Sequence, residues 1–162
     1  MEVRIYYEDT DAAGVVYHAN YLKYIERART EYFRERGLLV SELAAAGHVF
    51  PVVRLEVDFR SPACLDDLLS IVTEPVKSGG SSFSLRQQIY RAHDDRLLVS
   101  ALVKLACVGP DLKARRIPTE VRQIMESEAG SGSRMTAAGP VRYAEPVCSA
   151  ACKPDSGQGN EA

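Results

Sequence analysis

Residues 7–21 read Tyr-Glu-Asp-Thr-Asp-Ala-Ala-Gly-Val-Val-Tyr-His-Ala-Asn-Tyr, and three carboxylates, Glu8, Asp9 and Asp11, fall within four positions of one another. Like charges this close raise one another's pKa, and burial raises it further, so one of the three can be tuned as a base or a nucleophile. An amphipathic stretch follows at once. The first N–H groups of a helix have no intrahelical acceptor and sit at the positive end of its dipole, so a carbonyl placed there is polarised and its developing oxyanion stabilised. A loop carboxylate and a helix start can together act on an acyl carbonyl. The same residues have a structural use: Asp and Glu before a helix serve as caps, and Asp-Thr-Asp-Ala-Ala-Gly can be a tight turn. His18 divides the same way, between a proton carrier and a histidine held by packing.

These residues need elements to position them. Val3, Ile5 and Tyr7 alternate with Arg4 and Tyr6, predicting a short strand, and residues 8–18 a polar loop. Tyr21, Ile25, Ala28 and Tyr32, supplemented by Leu22 and Phe33, recur at helical steps through Arg36, predicting one helix of about 17 residues closed by Gly37. On its polar face Lys23 and Glu26, and Arg27 and Glu31, stand at ion-pair spacing. Residues 39–46 add a short helical turn. Four strands follow: 53–60, with Val53, Leu55, Val57 and Phe59 on one side; 68–76, where Pro75 implies an edge or a bulge; 82–90; and 97–108. Gly79-Gly80 and Asp94-Asp95 turn the last three into an antiparallel meander. Residues 118–125 form a closing helix. One long helix and about five antiparallel strands make an α+β fold in which a curved sheet wraps the helix. Both faces of residues 97–108 are apolar, which fits either a second buried surface, hence a homodimer, or a strand central in the sheet.

With 162 residues, 20 Lys+Arg against 22 Asp+Glu and a net charge of −2, the chain has the size of one domain and lacks the basic excess of a nucleic-acid binder. No run is long and apolar enough for a membrane span, and Met-Glu-Val-Arg is unlike a signal peptide, so a cytoplasmic location is expected. Cysteines at 64, 107, 148 and 152 are too few and irregular for a disulfide framework, and Cys148-x3-Cys152 lacks a second ligand pair, so no metal is expected. Residues 128–162 contain no Leu, Ile or Phe but five of the eleven glycines. Such a segment cannot offset its ordering entropy, which predicts a domain of residues 1–127 and a disordered tail from Glu128.

The run Tyr6-Tyr-Glu-Asp-Thr-Asp-Ala-Ala-Gly-Val-Val-Tyr-His-Ala-Asn-Tyr-Leu22, continuing through Glu26-Arg-Ala-Arg-Thr-Glu31, closely resembles the signature of hotdog-fold acyl-CoA thioesterases of the 4-hydroxybenzoyl-CoA thioesterase type. The likeness is closest to the branch known as the tol-pal system-associated acyl-CoA thioesterases, and Asp58-Phe-Arg-Ser-Pro-Ala-Cys-Leu-Asp-Asp67 looks like a second segment of that family. The resemblance spans residues 1–125. It implies the hotdog fold, subunits pairing their sheets edge to edge, active sites at the subunit interface, and dimers that often associate into tetramers.

By motif position the resemblance implies that Asp11 is the catalytic carboxylate and that the amide of His18 polarises the thioester carbonyl, with the imidazole assisting. It places Arg60 and Ser61 near the substrate end of the sheet, where an Arg can meet a CoA phosphate or simply face solvent. Tyr17 either lines the acyl pocket or packs the loop. The implied substrate is an acyl-CoA, hydrolysed without a cofactor; acyl carrier protein is a further candidate partner. A hotdog dehydratase or hydratase, and a non-catalytic acyl-CoA or carrier-protein binding module, are the alternatives. One departure stands out: many relatives have two glycines where this chain has Ala13-Gly14, and if position 13 needs φ > 0, Ala strains the loop by about 1 kcal/mol.

Overall fold

A computed structural model describes residues 1–128. Cys148, Cys152 and the expected tail beyond Glu128 lie outside the described residues. The elements run β1 (Glu2–Arg4), a 3-10 turn (Tyr7–Asp9), α1 (His18–Arg34), α2 (Val40–Ala45), β2 (Val52–Phe59), β3 (Leu68–Ser78), β4 (Ser82–Arg91), β5 (Arg96–Ala106) and α3 (Thr119–Glu128). The five strands form one antiparallel sheet in the order β1-β3-β4-β5-β2. The α+β inventory and the meander are as the periodicity predicts.

α1 lies across one face of the sheet, and its buried stripe, Tyr21, Tyr24, Ile25, Ala28, Tyr32 and Phe33, meets the inward side chains Leu69, Ile71, Phe83, Leu85, Ile89, Val99 and Val103. Gln87 is fully buried beneath the helix and donates to Ile25 O at 2.8 Å and to Thr73 Oγ1 at 3.0 Å. The helix ends as read, in a Schellman motif: Leu38 N–H returns to Phe33 O, Gly37 N–H to Arg34 O, and Gly37 takes φ +79°. Its expected surface pairs do not form. Glu31 takes Arg34 and Glu26 accepts from the Thr30 hydroxyl, and among the described residues Lys23 and Arg27 form no ion pair.

β1 stops at Arg4, short of the predicted strand through Tyr7, because Asp9 pulls the chain into a turn: its carboxylate accepts the Tyr6 N–H and its own N–H donates to Tyr6 O. Pro75 sits at a bulge, between Pro75 and Lys77. β5 is central, between β4 and β2, with Val99, Ala101, Val103 and Leu105 buried and Leu102 on the open face, so its two-sided apolarity needs no second surface at most positions. β2 is an edge strand, exposed nearly throughout. A bulge between Val52 and Arg54 takes Val53 out of line with Leu55, Val57 and Phe59, which share the inward face with Val103, Ala101 and Val99. α3 packs Val121 and Met125 into the core and reaches Glu128, the residue at which composition alone starts the tail.

Candidate active site

Residues 10–16 fold back on themselves. Thr10 and Val16 form an antiparallel bridge, Asp11 N–H donates to Val15 O, and Gly14 N–H donates to Asp11 O, each at 2.9 Å. Gly14 supplies the left-handed residue at φ +73°; Ala13 is not among the residues of positive φ, so the departure from two glycines carries no backbone strain. The Asp11 carboxylate accepts the Ala13 N–H on Oδ1 at 2.8 Å, an Asx turn, and the residue is exposed. Oδ2 has no protein donor among the described residues. One oxygen orients the group, and the other faces outward.

Of the three carboxylates of the loop, Glu8 and Asp9 line one cavity and Asp11 is not part of it. Asp9 is an anchor: Tyr24 hydroxyl donates to its Oδ1 at 2.5 Å, Tyr6 N–H to its Oδ2 at 2.9 Å, and its carbonyl accepts from Tyr17 N–H and Asn20 Nδ2. Burial, then the Asp9 carboxylate, push the Tyr24 hydroxyl well above its ordinary pKa, so it remains a donor. Glu8 joins Lys23, Arg27 and Arg4 around a cavity of about 550 Å³ on the β1 side of α1. That cavity is at the opposite sheet edge from β2, where His18 points, and contains neither Asp11 nor His18.

α1 begins at His18, and no side chain caps it: Tyr17 occupies the N-cap position without a side-chain bond, and its carbonyl accepts Asn20 N–H at 2.8 Å. The His18 and Ala19 amides have no acceptor among the described residues. Such open amides at a dipole's positive end suit a carbonyl oxygen or an anion. The exposed His18 ring lies 4.4 Å from Tyr17 and 6.4 Å, edge-on, from Phe59 at the end of β2. Tyr21, whose ring is 5.9 Å from Phe59, accepts the Ala63 N–H at 2.9 Å, and burial pushes its hydroxyl up to about 12.

Ala63 O takes Val16 N–H at 2.8 Å, and Val15 bridges to Cys64. The chain after β2 is therefore tied both to the Asp11 turn and to the helix start. Arg60 and Ser61 follow Phe59 directly, both donating their N–H groups to Leu98 O, and the Arg60 Nε is buried with no partner among the described residues. Tyr17 and His18 thus touch, and the Arg60-Ser61 segment follows directly on Phe59, the ring that His18 meets. No hydrogen bond joins Asp11 to His18. Sequence reasoning missed Phe59, which reads as one more apolar residue of an alternating strand, and Tyr24, whose spacing marks it only as core.

A long helix on an antiparallel sheet, entered without a cap and preceded by a turn that presents one carboxylate, defines a hotdog-fold protein equipped for acyl-carbonyl chemistry. A family model described as the thioesterase superfamily matches residues 13–98, and the chain belongs to that superfamily. It is 43% identical over 120 residues to the acyl-CoA thioester hydrolase YbgC of Escherichia coli O157:H7, covering 74% of this chain and 89% of the relative. It is also 43% identical over 122 residues to the acyl-CoA thioesterase YbgC of Haemophilus influenzae, covering 74% and 88%. Among solved structures, BH1999 gentisyl-coenzyme A thioesterase superposes with a TM-score of 0.70 at 30% identity, covering 75% of this chain and 98% of that one. Slr0204 of Synechocystis, a 1,4-dihydroxy-2-naphthoyl-CoA thioesterase, shares the fold with a TM-score of 0.73 at 24% identity, covering 77% and 93%. The family read from residues 6–31 and 58–67 is the one found.

Proposed function

We propose that the protein hydrolyses the thioester of an acyl-CoA to the free acid and CoA, with Asp11 as base or nucleophile and the start of α1 as the site of the carbonyl oxygen. The observation that carries this is the pairing of an uncapped helix start with a carboxylate that its own turn holds by one oxygen. The names of the 43% identical relatives support the same reaction. With the carbonyl oxygen on the His18 amide, Asp11 takes a proton from water as it adds to the carbonyl carbon; the C–S bond then breaks and the thiolate is reprotonated. In the nucleophilic variant Asp11 attacks the carbon, expels the thiolate, and water cleaves the anhydride. Tyr17 borders the acyl group, and Arg60 with Ser61 faces the CoA end, where a guanidinium can meet a phosphate.

Two further parts of the reading rest on the edge strand. β2 leaves one row of backbone groups unpaired and exposes Val52, Val53, Leu55 and Phe59. A second copy pairing edge to edge would cover that row, and dimers would associate into tetramers. A cytoplasmic location fits the free thiol of Cys107, and among the described residues no helix is long and apolar enough to cross a membrane. The activity is assigned to residues 1–128, and truncation after Glu128 should preserve it. Acyl carrier protein thioesters are a secondary substrate class.

The test is free-thiol release from short-chain, long-chain and benzoyl-CoA, by wild type and Asp11→Asn side by side. Asp11-dependent release supports the reading; saturable binding without release, or formation of an enoyl or 3-hydroxyacyl thioester, refutes it. Single turnover in H₂¹⁸O separates the two routes, because only the anhydride route carries label into Asp11. His18→Ala should be mild if the amide alone acts, and severe with intact folding if the imidazole takes part.

A further inference from the structure

The inward face of β2 is apolar yet uncovered. Leu55 and Phe59 are 38% and 42% exposed although they point to the same side of the sheet as the buried Val103 and Val99. α1 starts beside this open strip and crosses away from it. At one end the His18 ring meets Phe59; at the other, Phe33 stacks on Phe83, which pairs with Leu105, and Leu105 pairs with Val52. The two edges match in length: the 15 helical steps from His18 to Phe33 span about 22 Å and the seven strand steps from Phe59 to Val52 about 23 Å. The side of α1 that meets Phe59 and the uncovered face of Phe59, Val57 and Leu55 thus bound an apolar groove that is closest at the helix start and widens toward Phe33, over β4.

His18, Leu22 and Arg29 follow one another at four and seven residues, so they share the helix stripe that borders this groove. Leu22 is 37% exposed there. Arg29 is half-buried, and it has neither a hydrogen bond nor an ion pair among the described residues, while every other arginine of α1 and its cap region is either well exposed or paired. Burial pulls its guanidinium below its ordinary pKa, with Glu26 opposing. A cation held partly out of water at the wall of an apolar groove has a function only if something carries an acceptor to it.

Resting on the acyl-CoA reading above, we infer that Arg29 is a specificity-determining residue, placed to receive a carboxylate at the far end of the acyl chain, so that the preferred substrates are medium-length dicarboxylic acyl-CoAs. The dimensions set the length. Arg29 lies 11 residues beyond His18, about 16 Å of helix, and an arginine leans back about one turn toward the N-terminus, leaving about 11 Å to the helix start. Seven bonds of extended chain at about 1.2 Å each, plus a hydrogen bond of about 2.9 Å, fill that distance. Suberyl-CoA, with eight acyl carbons, has seven such bonds.

The experiment compares kcat/KM for succinyl-, adipyl- and suberyl-CoA with butyryl-, hexanoyl- and octanoyl-CoA, in wild type, Arg29→Met and Arg29→Lys. The expected result is a diacid-to-monoacid ratio that rises with length to at least about tenfold for suberyl over octanoyl in wild type, falls to one or below in Arg29→Met, and recovers in part in Arg29→Lys. Competitive binding to the Asp11→Asn variant, with and without Arg29→Met, reads the same ratio with no turnover, so absence of hydrolysis would refute the thioesterase reading and leave the specificity measurable. A wild-type ratio at or below one at every length overturns the inference. So does an equal loss on both series in Arg29→Met, and equal loss with a shift from dimer to monomer would assign Arg29 to a carboxylate of a second copy.

Discussion

At its C-terminal end α1 is closed by the chain around it. Gly37 turns the last carbonyls back, and Arg36 lies 3.7 Å over the Tyr32 ring while donating to Tyr32 O at 2.8 Å and, through Nε and Nη2, to both carboxylate oxygens of Glu128. Tyr32 hydroxyl donates to the same carboxylate, so one cluster joins α1 to the end of α3. At its N-terminal end nothing is closed. Tyr17 offers no cap, the first amides are open, the Asp9 carboxylate goes to Tyr24 and Tyr6, and that of Asp11 is held by its own turn. Leaving a helix terminus unsatisfied costs stability, about 1 kcal/mol for a missing cap, and leaves donors aimed at a ligand. Removing groups from the open end should therefore cost activity, and removing them from the closed end should cost stability.

The largest effect belongs to the open end. Asp11→Asn should lower kcat/KM at least about a hundredfold with an unchanged melting temperature; a variant that loses stability instead would erase the contrast. Next, Arg36→Ala should destabilise by about 2 kcal/mol in denaturant unfolding, through loss of the ring contact and the forked pair with a half-buried Glu128, while turnover per folded molecule stays within about twofold.

A matched pair of loop variants sharpens the comparison. Gly37→Ala should cost about 1 kcal/mol, because φ +79° is strained for any L side chain, whereas Ala13→Gly at the other end should stay within about 0.5 kcal/mol, its φ being ordinary. Stabilisation by Ala13→Gly would instead mean that the Asp11 turn is under strain after all. The smallest effect is on pH. Hydrogen bonds from Arg91 hold Asp94 at about 2, below its ordinary 3.8, and those from Arg36 hold Glu128 low as well. Both folded-state values are depressed, so their stabilisation is present above the ordinary carboxylate range and lost as pH falls through the folded values. The melting temperature should decline between about pH 4 and pH 2, less steeply in Arg36→Ala.

Local chemistry carried much of this protein. The helix was legible because Tyr21, Ile25, Ala28 and Tyr32 repeat at its period, its end because Gly37 alone tolerates the required φ, and the meander because Gly79-Gly80 and Asp94-Asp95 stand between alternating runs. The family was legible in the run of residues 6–31, and with it the expectation that Asp11 and His18 act. Four matters were decided only by tertiary structure. Asp9 and Asp11 are two residues apart and equally acidic, yet Asp9 is bonded by Tyr24, 15 residues on, and Asp11 is not. β2 and β5 both alternate, yet one is the sheet's edge and the other lies inside it, paired on both sides. Glu128 belongs to a helix because Arg36, 92 residues away, holds its carboxylate. Phe59 joins the site because the sheet brings the end of β2 to His18. Periodicity and turn chemistry act over a few residues and report that a side chain needs burial or a partner. Which partner it meets is settled by contacts between distant segments, and only the folded chain brings those together.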